Sequence, residues 1–310
     1  MKKSLFLTPL ALAVLASCSS NEEPTVGKAD GPVKFSASIN GTANSRAYNQ
    51  VWESGDKIGI NATTGDKEYT NVAYTTDGTG DFSVVTSGNE IYYQDNNPVT
   101  FTAYYPWTDL AKGVSSLTAD TWMQANQKKF DYLWAQKTGS KASPNVDFAF
   151  NHKMTKLVLT IRKGADISFE EVKAAKLMLD GFKHQGVFDI ATGKTKATDN
   201  KSTMWVFAGN DEAKYNAPKT ENADESVTYA LILFPQSFEN KLPFTATLTG
   251  SQSFTAELDF TNANNDTNLN EWVAGRQYNM SVTLHKTSIT VNDCTIVGWD
   301  EQPGGNFDAN

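Results

Sequence analysis

"VKFSASI", residues 33–39, decides the fold class. Val33, Phe35, Ala37 and Ile39 fall on one face and Lys34, Ser36 and Ser38 on the other, the period-two pattern of a strand with one buried side and one wet side. The pattern recurs along the chain. In "VWESGDKIGI" (51–60) the turn Ser54-Gly55-Asp56 precedes a short strand from Lys57 to Ile60, and "VTFTAYYPW" (99–107) turns Val99, Phe101, Ala103 and Tyr105 inward before stopping at Pro106. The second half supplies "TMWVFAG" (203–209), "VTYALILFP" (227–235), "PFTATLTG" (243–250), "SFTAELDF" (253–260), "QYNMSVTL" (277–284) and "TSITVND" (287–293), each bounded by Gly, Pro, Asn or Asp. An aromatic content of 11% and the many Thr, Val and Tyr residues favour strands as well. The expectation is an all-β protein of sandwich type.

Two stretches interrupt the regularity. In "DFAFNHKMTKLVLTI" (147–161) the apolar parity moves from even positions (Phe148, Phe150) to odd ones (Leu157, Leu159, Ile161), which a continuous strand cannot do without a bulge or a break. "SFEEVKAAKLML" (168–179) opens with Ser168 and Glu171 at capping-box spacing and so allows a turn or two of helix, while "KLMLDGF" fits a strand equally well. The polar run "TGSKASPN" (138–145) is the best candidate for a linker between domains.

The N-terminus has a different logic. Lys2 and Lys3 precede an apolar run from Leu5 to Leu15, the pattern of a bacterial export signal, too short for the roughly 20 residues that a membrane helix needs. Leu15-Ala16-Ser17-Cys18 then resembles a lipobox, which makes Cys18 a lipid attachment point; acyl chains at ~0.8 kcal/mol per buried methylene exceed what stable anchoring requires. Glu22 and Glu23 follow closely, like the surface-export signal of Bacteroidales lipoproteins, and also suit a solvated tether. With Cys18 and Cys294 as the only cysteines, a disulfide framework is excluded by counting.

The 310 residues carry a formal charge of −8, two units more negative once Lys2 and Lys3 leave with the signal. Scattered, outnumbered basic residues exclude a nucleic-acid partner. After processing, about 290 residues suffice for two domains. The expected division is signal 1–17, tether 18–31, an N-terminal β-sandwich over 32–145 and a C-terminal β-sandwich over 146–310.

Catalytic chemistry has no foothold. His152, His184 and His285 have no second ligand at metal spacing and read as surface or strand-edge residues. "DTNLNE" (266–271) alternates Asp266, Asn268 and Asn270 as calcium loops do, but lacks their glycine at position six and glutamate at position twelve, and reads as a polar hairpin loop. No nucleophile elbow or phosphate loop is present, so no enzymatic activity and no cofactor are expected. Arginine is scarce: Arg46, Arg162 and Arg276 are the only three, and Arg46 lies in "NGTANSRAYNQ", directly after the first strand.

Trp52, Gly55-Asp56, Ile58-Gly59-Ile60, "FTAYYPW", "DYLWAQ" (131–136), "FNHKMTKLVLTI" (150–161) and "EWVAGRQYNMSVTL" (271–284) occur in this order. Together with the lipobox, this series resembles the fimbrillin family of Bacteroidales surface lipoproteins, the pilin subunits of type V fimbriae. The resemblance implies two transthyretin-like β-sandwich domains in tandem, a lipidated Cys18, and cleavage at Arg46-Ala47 by an arginine-specific protease. It further implies that the strand bearing Val33, Phe35, Ala37 and Ile39 is displaced and that a strand from another fimbrial subunit fills its groove. Exposing those side chains costs roughly 1.5–3 kcal/mol for each large one and opens a strand edge, so refilling the groove would drive polymerisation.

A donor strand should alternate and lie near a chain end. "TSITVNDCTIVGW" (287–299) qualifies, with Ile289 and Val291 on one face and Val297 and Trp299 continuing the odd parity; the same strand could instead complete its own domain. The implied setting is the cell outer membrane and the fimbrium, with other subunits and a host or bacterial surface ligand as partners. The alternative is a monomeric surface lipoprotein that keeps its first strand and binds a glycan or host protein through aromatics such as Trp107, Trp122 or Trp134.

Overall fold

The structure is a computed structural model, described here for residues 31–40, 51–198, 201–238, 241–259 and 271–299. Its first sheet uses β1 (Lys34–Ile39), β2 (Lys57–Thr64), β3 (Lys67–Thr76), β4 (Asp81–Val84) and β5 (Val99–Tyr105); β6 (Ser116–Asp120) leaves it, and β7 (Leu133–Gly139) and β8 (Asn145–His152) rejoin it. The sheet closes on itself in the order β1-β4-β3-β2-β5-β7-β8. Closure depends on β1, which pairs antiparallel with β4 and parallel with β8, a strand 111 residues further along the chain. The expected first sandwich is therefore a closed barrel.

β5 shows why its sequence alternates imperfectly. Val99, Phe101, Ala103 and Tyr105 face the barrel core as expected, but Tyr104 is also fully buried, because the outer face of β5 is covered too.

The polar run 138–145 does not separate two sheets. It is the hairpin from β7 to β8, bridged by Ser140 and Ser143, and its polarity is that of an exposed turn. The chain leaves the barrel one strand later, at Lys153 and Met154, where β8 ends and β9 (Thr155–Lys163) begins with its parity changed. The break inferred from Phe150 and Leu157 lies there.

The remaining elements are α1 (Phe169–Ala174), β10 (Lys176–Lys183), β11 (Gln185–Asp189), β12 (Lys194–Ala197), β13 (Lys201–Phe207), β14 (Lys219–Glu221), β15 (Ser226–Leu233), β16 (Gln236–Ser237), β17 (Leu242–Thr247), β18 (Ser253–Leu258), β19 (Glu271–Trp272), β20 (Arg276–Leu284) and β21 (Ile289–Gly298). Ser168 caps α1 through a complete capping box with Glu171, and β10 follows at once, so the ambiguous stretch holds a helical turn and a strand in succession.

A five-stranded sheet, β14-β15-β9-β20-β21, faces a four-stranded one, β13-β10-β17-β18, across a single core that includes Leu157, Leu159, Leu177, Phe244 and Val282. β15, buried on both faces, explains its nearly unbroken apolar run. A third core joins this sandwich to the barrel. It contains Tyr104, Tyr132, Phe188, Phe234 and Trp299, and β6 supports it by pairing with β11 in the sheet β12-β11-β6.

Candidate functional site

The barrel's closing strand is the candidate site. β1 meets β8 at six consecutive positions, from Lys34↔Asn145 to Ile39↔Phe150, but β4 at only two, Phe35↔Phe82 and Ser36↔Asp81. The inward side chains are those the sequence named: Val33, Phe35, Ala37 and Ile39 are 4%, 3%, 7% and 9% exposed. Phe35 occupies an aromatic socket, edge-on to Tyr74 at 4.9 Å and to Phe101 at 5.4 Å and stacked on Phe148 at 5.8 Å. On the wet face, Ser36 Oγ donates to Asp147 and Asn40 Nδ2 to Asn151.

Trp52 holds the open end of this arrangement. Its indole is fixed edge-to-face against Phe82, Tyr105 and Phe150, at 5.1, 5.6 and 5.4 Å, and its Nε1 donates a 2.7 Å hydrogen bond to the carbonyl of Ala37. A buried tryptophan finds a partner for its N–H when one is in reach. The sequence marked Trp52 only as part of a family pattern, and no local signal pairs it with Ala37.

Cys18, Arg46 and Ala47 lie outside the described residues. The other two arginines are within regular structure: Arg162 is on β9, ion-paired at 3.1 Å with Asp224, and Arg276 begins β20. Positions 266–270 of "DTNLNE" also lie outside the described residues.

Placement of the candidate donor segment corrects its expected faces. β21 pairs with β20, but Met280 faces Cys294 and Val282 faces Val291, so β21 carries one extra residue there. This bulge flips the parity. Ile289, Val291, Cys294 and Ile296 face the sandwich core, and Val297 does not share their side. Trp299 is buried at the junction with the barrel, and its backbone N–H donates to Gly275 O at 2.8 Å.

His152 lies against Trp299, ring centroids 4.0 Å apart, and its Nδ1 is 2.9 Å from Asp131 Oδ1. Lys156 reaches the other ring neighbourhood, Nζ 5.8 Å from the Trp299 centroid, and burial brings its ammonium pKa down to about 8 against a pull upward from Asp131. The surface placement expected for the histidines is wrong for two of them. His152 and His184 are 3% and 6% exposed, each held by a carboxylate, His184 by Asp120 at 2.8 Å; His285 pairs with Asp166 at 3.1 Å nearer the surface. Each carboxylate is distant in sequence from its histidine, so no spacing revealed the pairs.

The aromatics of the alternative reading are also placed. Trp107 and Trp122 line one cleft of about 800 Å³ with Asp56, Asp120 and Lys128. Their faces are already engaged, Trp107 by Lys57 Nζ at 5.7 Å and Trp122 by His184 and Tyr215 at 5.8 and 5.5 Å. Trp134 lies elsewhere, donating to Ile190 O and covered by Lys153.

Residues 45–299 match the model of a fimbrillin-like family. A candidate fimbrium subunit of Bacteroides uniformis is 26% identical over 100% of this chain and 99% of its own length. Among solved structures, a candidate cell adhesion protein of Bacteroides uniformis is 26% identical, with a TM-score of 0.67, 87% of this chain and 100% of that chain covered. A second from Bacteroides ovatus, 23% identical, shares the fold with a TM-score of 0.69, over 88% of this chain and 99% of that chain.

Proposed function

This chain belongs to the fimbrillin-like family, and on that premise we propose that it is a fimbrial structural subunit that assembles by protease-triggered strand exchange. The observation carrying this proposal is the position of β1. Together with Val33 just before it, it seals the barrel with four buried side chains, yet it joins the strands that follow only through the segment 41–50, which contains Arg46. Cleavage of the Arg46-Ala47 bond leaves β1 held by burial and hydrogen bonds alone. An incoming strand that matches the groove then replaces it and restores the burial.

In this reading the barrel and the following sandwich are the two tandem transthyretin-like units, Cys18 carries the lipid that delivers the precursor to the outer membrane, and the segment 287–299 is the donor offered to the next subunit. Release of that donor means peeling β21 from β20 and extracting Trp299. The fimbrillin-like family match and the similarity to a candidate fimbrium subunit support other fimbrial subunits as its partners.

The test uses the purified precursor and an arginine-specific protease. Digestion should cut after Arg46 and convert monomer into ladders on size exclusion and gels, whereas Arg46→Ala should stay a folded monomer. Ladders from the Arg46→Ala protein, or a fully cut parent that stays monomeric with β1 bound, would rule the proposal out.

A further inference from the structure

The ladder between β1 and β4 ends at Ser36↔Asp81, one residue short of Ala37. Both main-chain groups of Ala37 are nevertheless satisfied on that side. Its N–H donates to Gly80 O at 2.8 Å, and its carbonyl accepts from Trp52 Nε1 at 2.7 Å. Gly80 must be glycine for this: its φ is +91°, and a Cβ there would stand 2.8 Å from the Ala37 oxygen and 3.6 Å from Trp52 Cδ1. An indole and a glycine thus continue the ladder where β4 has run out.

We infer that Trp52 and Gly80 form a main-chain clamp that sets the register of whichever strand fills the groove and admits only a small side chain at the clamped position. The partner it fits is an extended strand with a large apolar residue in the Phe35 socket and Ala or Gly two residues on, a spacing that Ile296 and Gly298 of the segment 287–299 offer. This rests on the proposed strand exchange and specifies its recognition step.

Three features support the clamp. Trp52 follows Arg46 in sequence, so it stays with the cut subunit while Ala37 departs with β1. Without a strand, the Nε1 donor loses its main-chain acceptor and faces the vacated groove, and an incoming carbonyl at that point restores the hydrogen bond. The indole cannot step aside for a bulky side chain, because Phe82, Tyr105 and Phe150 hold it edge-on from three directions. Hydrogen bonds to the main chain read register without reading sequence; burial of the Ala37 methyl in the barrel core supplies the selection.

The experiment adds fluorescent peptides of residues 32–40 (PVKFSASIN) to precursor cut to completion after Arg46. The parent peptide and its Ala37→Gly version should enter the groove and be retained, and an Ala37→Leu peptide should bind at least about tenfold more weakly. In Trp52→Phe protein, which keeps a ring but no N–H, the parent peptide should leave about tenfold faster. Equal binding of the Leu peptide, or unchanged release from Trp52→Phe, overturns the inference. If no peptide enters either cut protein, strand exchange itself has failed, and hydrogen exchange on the intact precursor decides the clamp. Exchange at the Ala37 amide about tenfold faster in Trp52→Phe, with Phe148 unchanged, upholds it for β1, and an unchanged rate removes it.

Discussion

The imidazole of His152 lies flat on the indole of Trp299, with planes 5° from parallel and centroids 4.0 Å apart. His152 is the last residue of β8, the strand that holds β1, and Trp299 directly follows β21. The stack therefore ties the groove to the chain's last described strand.

Replacing Trp299 with Ala should lower stability by about 3–5 kcal/mol, the usual cost of emptying a buried aromatic site. The loss should be local as well as global. Amides from Cys294 to Gly298 should exchange faster than those of β9, because Trp299 anchors the end of an edge strand. Urea denaturation with hydrogen exchange measures both, and an even loss of protection across the five-stranded sheet would contradict the anchoring role.

Lys156 makes stability depend on pH. Burial holds its pKa at about 8, below the 10.5 of an unburied lysine, so the folded chain gives up this proton first. Below pH 8 both states carry the charge and the burial penalty is constant. Between about pH 8 and 10.5 the unfolded chain binds more protons, and stability rises with pH. The Lys156→Met protein should lack that rise, on the order of 2–3 kcal/mol, when its urea midpoints are compared with the parent's from pH 7 to 10. Parallel curves would show that the ammonium is solvated.

The strands were legible wherever burial is one-sided, because a period of two is a local property: Val33 to Ile39 and the shift between Phe150 and Leu157 could be read directly. Barrel closure was not legible, since the parallel pairing of Phe35 with Val146 joins segments whose patterns say nothing of each other. The β21 bulge escaped for another reason. Apolar residues stand at both parities around it, Val291 and Val297 on one and Cys294 and Ile296 on the other, so the sequence fits either face. Likewise the Trp52 clamp consists of an apolar residue, a glycine and a main-chain carbonyl, none of which leaves a spacing to find.

Lipidation at Cys18 can be tested apart from assembly. Changing Cys18 to Ala should leave an unprocessed or soluble form, because the lipid supplies the attachment that a short apolar run lacks. Fractionation of cells with a mass measurement checks this. A Cys18→Ala protein still bound to the membrane at its mature size would remove the lipobox reading.

Phe35 should control how readily β1 leaves. Its ring meets Tyr74, Phe101 and Phe148 within 6 Å, whereas the β4 side of β1 offers a ladder of only two residue pairs. Burial of Phe35 therefore acts together with the six-position ladder to β8 in retaining the strand once the chain is cut. Phe35→Ala should cost about 3–5 kcal/mol in the precursor. In the cut protein, where β1 is a separate peptide, the same loss should appear in its dissociation, hundreds- to thousands-fold faster release following from about 3–5 kcal/mol at 1.4 kcal/mol per tenfold. Ladder formation should then begin sooner after cleavage than in the parent, read by timed gel samples. A destabilised precursor whose ladders form no faster would mean that departure of β1 does not limit assembly.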